Sequence, residues 1–379
     1  MLVIIICVLL TVAYVALMFA YSRGWALQKT FKLPPLFEPS TFISVIIPAR
    51  NEQANIGACI ECILAQKYPA HLLEIIVVDD HSEDGTAAEV AAYTDRNVCC
   101  ISLADHLNND NEIVAYKKAA IAAGIANSSG KLIVTTDADC TAPNSWLLHV
   151  AAMYELTNPV MIVAPVIYSA NTKILEVFQL IDFMSMQGIT AAAHRLQLGN
   201  MCNGANIAFS KAAYLDIGGY DDISHLASGD DYLLMMKMSK FIPPSIAYLK
   251  SPHAIVITTP QPDWRSFLQQ RIRWASKSGK YNDPKLTGIL LLVYLFNLSF
   301  LALLILGFSY PVFFVVAAIM LAVKIVAEYL FLVPVATFFK DRWVLRYFAL
   351  LQPLHILYII VAGLLGFAGG YKWKGRKVR

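Results

Sequence analysis

The sequence predicts an α/β domain on a mostly parallel sheet, carried in a membrane by one apolar helix before it and about three after it. Two observations carry the prediction. With 57% hydrophobic and only 15% charged residues and a mean hydropathy of +0.55, the 379-residue chain is too apolar for an ordinary soluble protein. Within it, four runs rich in Val and Ile, FISVIIP (42–48), LEIIVVDD (73–80), KLIVTTDAD (131–139) and VMIVAPVIY (160–168), read as strands. The first three are each followed by a helical pattern, at 53–66, 84–93 and 144–157, which is the alternation of βαβ units.

Taken in order, residues 1–22 form the first expected membrane helix. Residues 2–21 hold no charge and reach about 30 Å as a helix, roughly one bilayer core. No basic stretch precedes them and YSRGW after them offers no small-x-small cleavage site, so a retained anchor is expected rather than a cleaved signal. Arg23, Lys29 and Lys32 follow the span, and the positive-inside rule places the next domain in the cytoplasm. A Pro-containing linker covers 23–40, and the globular domain covers 41–283.

Residues 284–370 contain three apolar stretches near 286–306, 311–333 and 348–367, each long enough to span. The basic tail 371–379 then falls on the far side, against the positive-inside rule. Either one late segment is re-entrant or interfacial, or the tail does not decide orientation. Lys324 and Glu328 stand four apart inside the second late segment, as a functional intramembrane pair or as mutual neutralisation for packing.

A net charge of +3 is too small to argue for nucleic acid as a partner, and no basic-aromatic stripe supports one. Seven cysteines do not make a disulfide framework in a cytoplasmic domain. Cys59 and Cys62 share a helix face with no second pair at ligand spacing, so they read as core thiols.

The polar residues at the carboxyl ends of the strands are where such sheets bind ligands. Asp79 and Asp80 end one run, Asp137 and Asp139 another. Carboxylates gathered this way repel and need compensation, and they select a hard divalent ion, Mg²⁺ or Mn²⁺, shared with substrate phosphates. An Asp-x-Asp alone also caps helices and builds Asx-turns. Here it has company: IIPARNE with Arg50 and Glu52, AYKKAAIAAG with Lys117, NGANIAFSKAAYLDIGGYDD, SGDDYLLMMKM with Asp230 and Asp231, and QQRIRWASK with Gln270, Arg271, Arg273 and Trp274.

In order and spacing these motifs resemble the family 2 glycosyltransferases, membrane-attached inverting enzymes with a Rossmann-like GT-A fold, of the bacterial type with a Q-x-x-R-W motif. The resemblance covers roughly 43–282. It implies that Ala49, Arg50, Glu52, Asp80, Lys117 and Asp137 bind the donor nucleotide, the adjacent Lys118 being the alternative match for the family's single lysine. It further implies that Asp139, with Asp137, holds the metal at the diphosphate, and that Asp231, preceded by Asp230 where the family has Glu, is the catalytic base. Gln270, Arg271, Arg273 and Trp274 match the motif tied to acceptor and diphosphate. Membrane-interface anchoring also suits Arg271, Arg273 and Trp274.

The implied activity is metal-dependent inverting transfer from a nucleotide-sugar donor to a lipid-linked or glycan acceptor near the membrane lipid. Its setting is cell-envelope or surface glycan synthesis at a bacterial inner membrane, with the catalytic domain cytoplasmic. A processive polysaccharide synthase is the alternative within the class. A membrane transporter with a nucleotide-binding regulatory domain is the alternative outside it, weakened by the lack of an internal repeat or paired broken helices.

Overall fold

A computed structural model describes residues 1–106, 115–199, 201–224, 226, 229–243, 246–276, 283–368, 371–373 and 376–378. His225 and parts of the basic tail (374, 375 and 379) lie outside the described residues. Helix α1 (Leu2–Leu27) is followed by β1 (Ile43–Ala49), α2 (Ile56–Leu64), β2 (Leu73–Asp79), α3 (Thr86–Ala91), β3 (Val98–Ser102), α4 (Tyr116–Ala126), β4 (Leu132–Thr135) and α5 (Trp146–Thr157). Next come β5 (Met161–Val163), β6 (Val166–Tyr168), α6 (Ile174–Leu196), β7 (Ile207–Ser210), α7 (Lys211–Asp216), α8 (Tyr232–Phe241), β8 (Ile246–Tyr248) and β9 (Val256–Thr258). The chain continues through α9 (Trp264–Ala275), α10 (Pro284–Gly307), α11 (Val312–Phe339), α12 (Leu345–Ala368), β10 (Tyr371–Trp373) and β11 (Arg376–Val378).

The chain divides into two units, the sheet unit being Lys29–Ile167 with Met201–Thr259. Among the described residues its main sheet has seven strands in the order β3-β2-β1-β4-β7-β5-β8. Strands β3, β2, β1 and β4 run parallel, whereas β7 opposes both β4 and β5. The central strand β1 has Val45 opposite Ile75 on one side and Val134 on the other, and both its faces are buried. That is why it reads as a continuous apolar run rather than an alternating one.

The fold class is therefore the expected α/β one; helix α6 is absent from the sequence reading, and two strand regions differ from it. The run VMIVAPVIY is broken at Pro165, which has no N–H to give a ladder. Its halves become β5 in the main sheet and β6 paired with β9. Strand β4 stops at Thr135, so Asp137 and Asp139 stand in the turn beyond it, closed by the Cys140 N–H on the Asp137 carbonyl at 3.1 Å.

The second unit comprises Met1–Gln28, Tyr168–Asn200 and Pro260–Arg379. Helices α1, α10, α11 and the stretch Arg342–Phe367 are long and apolar enough to cross a membrane, one N-terminal and three C-terminal. Helix α1 packs on α6, α10 and α11. Tyr14 stacks on Phe296 at 4.1 Å, and Trp25 meets Phe338 edge-on at 5.4 Å. Ile5, Leu9, Val12 and Phe19 on α1 remain exposed.

Candidate active site

The sheet unit gathers carboxylates around one ammonium. Lys117, in the first turn of α4, places Nζ 2.7 Å from Asp137 Oδ1 and 3.3 Å from Asp230 Oδ2. Burial alone would lower its pKa, but Asp137 and Asp230, joined by Asp231, outweigh that and hold the ammonium above its ordinary value. Its neighbour Lys118 points elsewhere: its buried ammonium donates to the carbonyls of Ile223 and Leu226, both at 2.7 Å. Lys117 is thus the site lysine, and Lys118 pins the segment leading to Asp230.

The 3₁₀ turn Gly204–Asn206 supports the acidic pair. The Gly204 N–H donates to Asp231 Oδ2 at 3.0 Å, while the Gly204 carbonyl accepts from Thr135 Oγ at 2.8 Å. Asp231 Oδ1 also accepts from the Tyr232 N–H at 2.7 Å at the start of α8. These bonds fix the carboxylate's orientation and leave lone pairs on both oxygens. A side chain at 204 would press on Asp230, since a Cβ there would sit 3.1 Å from its Oδ2. Asn206 anchors the turn from beneath, its amide bonded to Pro165 and Ala254 carbonyls and its oxygen to the Trp146 indole.

Asp139 sits across the turn from Asp137. Burial, then repulsion from Asp137 and Glu52, raises its carboxyl above the usual range. The hydroxyls of Thr258 and Thr259 donate to its Oδ2 at 3.1 and 3.3 Å. Neither threonine is legible as a site residue in the sequence; pairing of Thr141 with Ile257 brings them there. Among the described residues no cluster of three or more His, Cys, Asp or Glu forms a protein-only metal cage. The crowded carboxylates of Asp137 and Asp139 instead suit a hard divalent ion whose remaining ligands are water and phosphate.

At the ends of β1 and β2, Ala49 accepts from the Asp80 N–H at 2.8 Å. Arg50 donates to the Asp80 carbonyl at 3.1 Å, and His81 Nδ1 lies 2.9 Å from the Asp80 carboxylate. The Glu52 N–H donates to Thr86 Oγ, and its carboxylate accepts from Asn55, both at 2.8 Å. Asp79, read from the sequence as a strand-end carboxylate beside Asp80, has its Oδ1 buried with no hydrogen-bond partner among the described residues. Beneath the Asp-x-Asp turn, Cys59 donates to the Asp137 carbonyl at 3.6 Å and Cys62 to that of Ala142 at 3.1 Å. Burial pushes both thiols up, as in inert core cysteines.

Gln270, Arg271, Arg273 and Trp274 lie on α9 in the other unit. Asp263 caps this helix, accepting from the Ser266 N–H at 2.9 Å. Arg271 is buried against Asp182, with Nη2 and Oδ2 2.7 Å apart. Its Nη1 donates to Gln270 Oε1 at 2.7 Å, and its guanidinium lies 4.2 Å from the Trp274 ring centre.

Residues 132–366 match the family described as Glycosyl transferase family group 2, and residues 44–218 match Glycosyl transferase family 2. The chain belongs to glycosyl transferase family group 2. Glycosyltransferase AglE of Haloferax volcanii is 29% identical over 195 residues, 50% of this chain and 59% of its own length. The undecaprenyl-phosphate 4-deoxy-4-formamido-L-arabinose transferase of Serratia proteamaculans is 36% identical over 107 residues, 28% of this chain and 31% of its own length. The chain thus spans less than two thirds of either relative. The solved structure of the mannosyltransferase PcManGT from Pyrobaculum calidifontis, in complex with GDP-Man and Mn²⁺, matches with a TM-score of 0.57 at 19% identity. The match covers 96% of this chain and 99% of that one, a likeness of fold that makes the sheet unit GT-A.

Proposed function

We propose that the chain is an inverting, metal-assisted glycosyltransferase that moves a sugar from a nucleotide donor to a lipid-linked or membrane-proximal acceptor. The observation that carries this reading is Lys117, tied to Asp137 on the donor side and to Asp230 on the acceptor side. Ala49, Arg50, Glu52 and Asp80 take the base and ribose. Lys117 orients Asp137 toward the ribose and diphosphate. Mg²⁺ or Mn²⁺ held at Asp139, with Asp137, would neutralise charge on the leaving diphosphate.

Asp231, beside Asp230, takes the proton of the acceptor hydroxyl as its oxygen bonds to the anomeric carbon and the bond to the diphosphate breaks. Displacement from the opposite face inverts that carbon. The Q-x-x-R-W stretch serves the diphosphate and acceptor through Gln270, Arg273 and Trp274, with Arg271 acting through its neighbours. The name of the Serratia relative, an undecaprenyl-phosphate transferase, supports an acceptor of the membrane-lipid class. Membership of a glycosyl transferase family supports transfer over transport. The reading places the sheet unit at the cytoplasmic face of a bacterial inner membrane, in envelope or surface glycan synthesis.

The test is a donor screen on the full chain purified in detergent. Nucleoside diphosphate release from one nucleotide sugar, dependent on Mg²⁺ or Mn²⁺ and accompanied by an inverted glycoside, is expected. Retention of anomeric configuration, or no turnover of any donor with membrane lipid acceptors supplied, overturns it.

A further inference from the structure

We propose that Asp182 is a positioning residue for the Q-x-x-R-W helix, acting through Arg271 and held by a charge-balanced polar network inside the apolar bundle. The proposal rests on the glycosyltransferase reading above. Arg271 occupies the motif position between Gln270 and the Arg273–Trp274 pair. Its Nε and Nη2 face Asp182 Oδ2 at 2.9 and 2.7 Å, and both side chains are buried. The rest of the guanidinium serves the motif. Nη1 fixes the Gln270 oxygen at 2.7 Å, which Tyr168 also holds at 3.2 Å. Its face lies against Trp274 at 4.2 Å and Phe267 at 4.6 Å. With its oxygen taken by two donors, the Gln270 amide meets a substrate as a donor.

Asp182 is held from α12. Its Oδ1 accepts from the Tyr358 hydroxyl and lies 3.7 Å from His355 Nε2. The other face of that imidazole, Nδ1, lies 3.4 Å from Lys324 Nζ. Lys324 pairs with Glu328 at 2.6 Å and donates to Gln352, whose amide donates to Glu328 Oε2 at 2.7 Å. The Tyr14 hydroxyl of α1 closes the chain on Glu328. Arg271 and Lys324 thus balance Asp182 and Glu328. A lone charge in these surroundings would be costly, whereas the balanced set is tolerated and has one geometry. It joins α1, α6, α11 and α12 to α9, and its free end is the motif.

A misplacement of about 1 Å in a group that positions substrate costs on the order of 10²-fold. Asp182→Ala in the full chain is therefore expected to lower kcat roughly 10- to 100-fold, with donor KM changed less than about threefold. The double variant with Arg271→Ala is expected to be no worse than Arg271→Ala alone, because the two residues act as one unit. Asp182→Asn, which keeps an oxygen acceptor and so the fold, is expected to fall between, and Asp182→Glu to recover part of the loss. Wild-type kcat in Asp182→Ala or Asp182→Asn, or multiplying losses in the double variant, overturns the proposal while leaving the enzyme reading intact. A readout without turnover is the Trp274 fluorescence, taken as the difference from Trp274→Phe in each background. It is expected to change with Asp182→Ala, and an unchanged signal overturns the proposal even if no donor is turned over.

Discussion

At the scale of single residues, the site turns on which side chains face one another, and adjacent residues part company there. Lys117 and Lys118 are indistinguishable in sequence, yet successive helix positions point about 100° apart. One meets Asp137 and Asp230, the other a loop backbone. Lys117→Met is predicted to remove charge-assisted bonds worth about 1.5–3 kcal/mol, lowering kcat/KM roughly 10- to 100-fold. Lys118→Met is predicted instead to lower thermal stability. Steady-state kinetics beside a melting curve separates the two; a swap of these effects would show that the wrong lysine was assigned. The acid residues were legible as a set because their types and order are unusual. Thr258 and Thr259 were not, because only tertiary pairing brings them to Asp139.

At the scale of elements, β1, β2 and β4 were legible because strands buried on both faces are written as Val/Ile runs. Strands β3 (VCCIS) and β7 (IAFS) carry few Val and Ile and so do not stand out from their surroundings. The turn before β7 is where a small change should matter most. Gly204→Ala is predicted to press on Asp230 Oδ2 and to reduce transfer while nucleotide binding, measured by calorimetry, stays within about threefold, since overpacking costs about 1–3 kcal/mol at its own site. Helix α6 was missed altogether, although Asp182 in a largely uncharged stretch was a visible signal. Its approach to α1 depends on Gly24, where a Cβ would stand 2.9 Å from the Ala192 carbonyl oxygen. Close backbone approach through small residues is how apolar helices associate. Gly24→Val is predicted to destabilise the protein by about 1–3 kcal/mol, read as a lower melting temperature in detergent. An unchanged melt would show that the contact is dispensable.

At the scale of the whole molecule, composition alone revealed the apolar helices, since a bilayer's thickness dictates their length. The partners of Lys324 and Glu328 were hidden, because Tyr14, Gln352 and His355 come from helices far away in sequence. The sequence reading offered neutralisation or function for this pair, and its place in a chain reaching Arg271 joins the two. Lys324→Met alone is predicted to destabilise by about 3–5 kcal/mol by stranding Glu328, and Lys324→Met with Glu328→Leu to recover most of that. Failure of the double variant to recover would mean that the network stabilises through more than charge balance.

The central chemical claim is that Asp231, fixed by Gly204 and facing a lysine-bridged donor site, removes the acceptor proton. The measurement that bears on it most directly is sugar transfer by purified Asp231→Asn, with nucleoside diphosphate affinity measured on the same sample. The predicted result is an affinity within about threefold of wild type and a transfer rate lower by about 10²–10⁴-fold, the usual worth of general base catalysis. Transfer at the wild-type rate with affinity retained would contradict it.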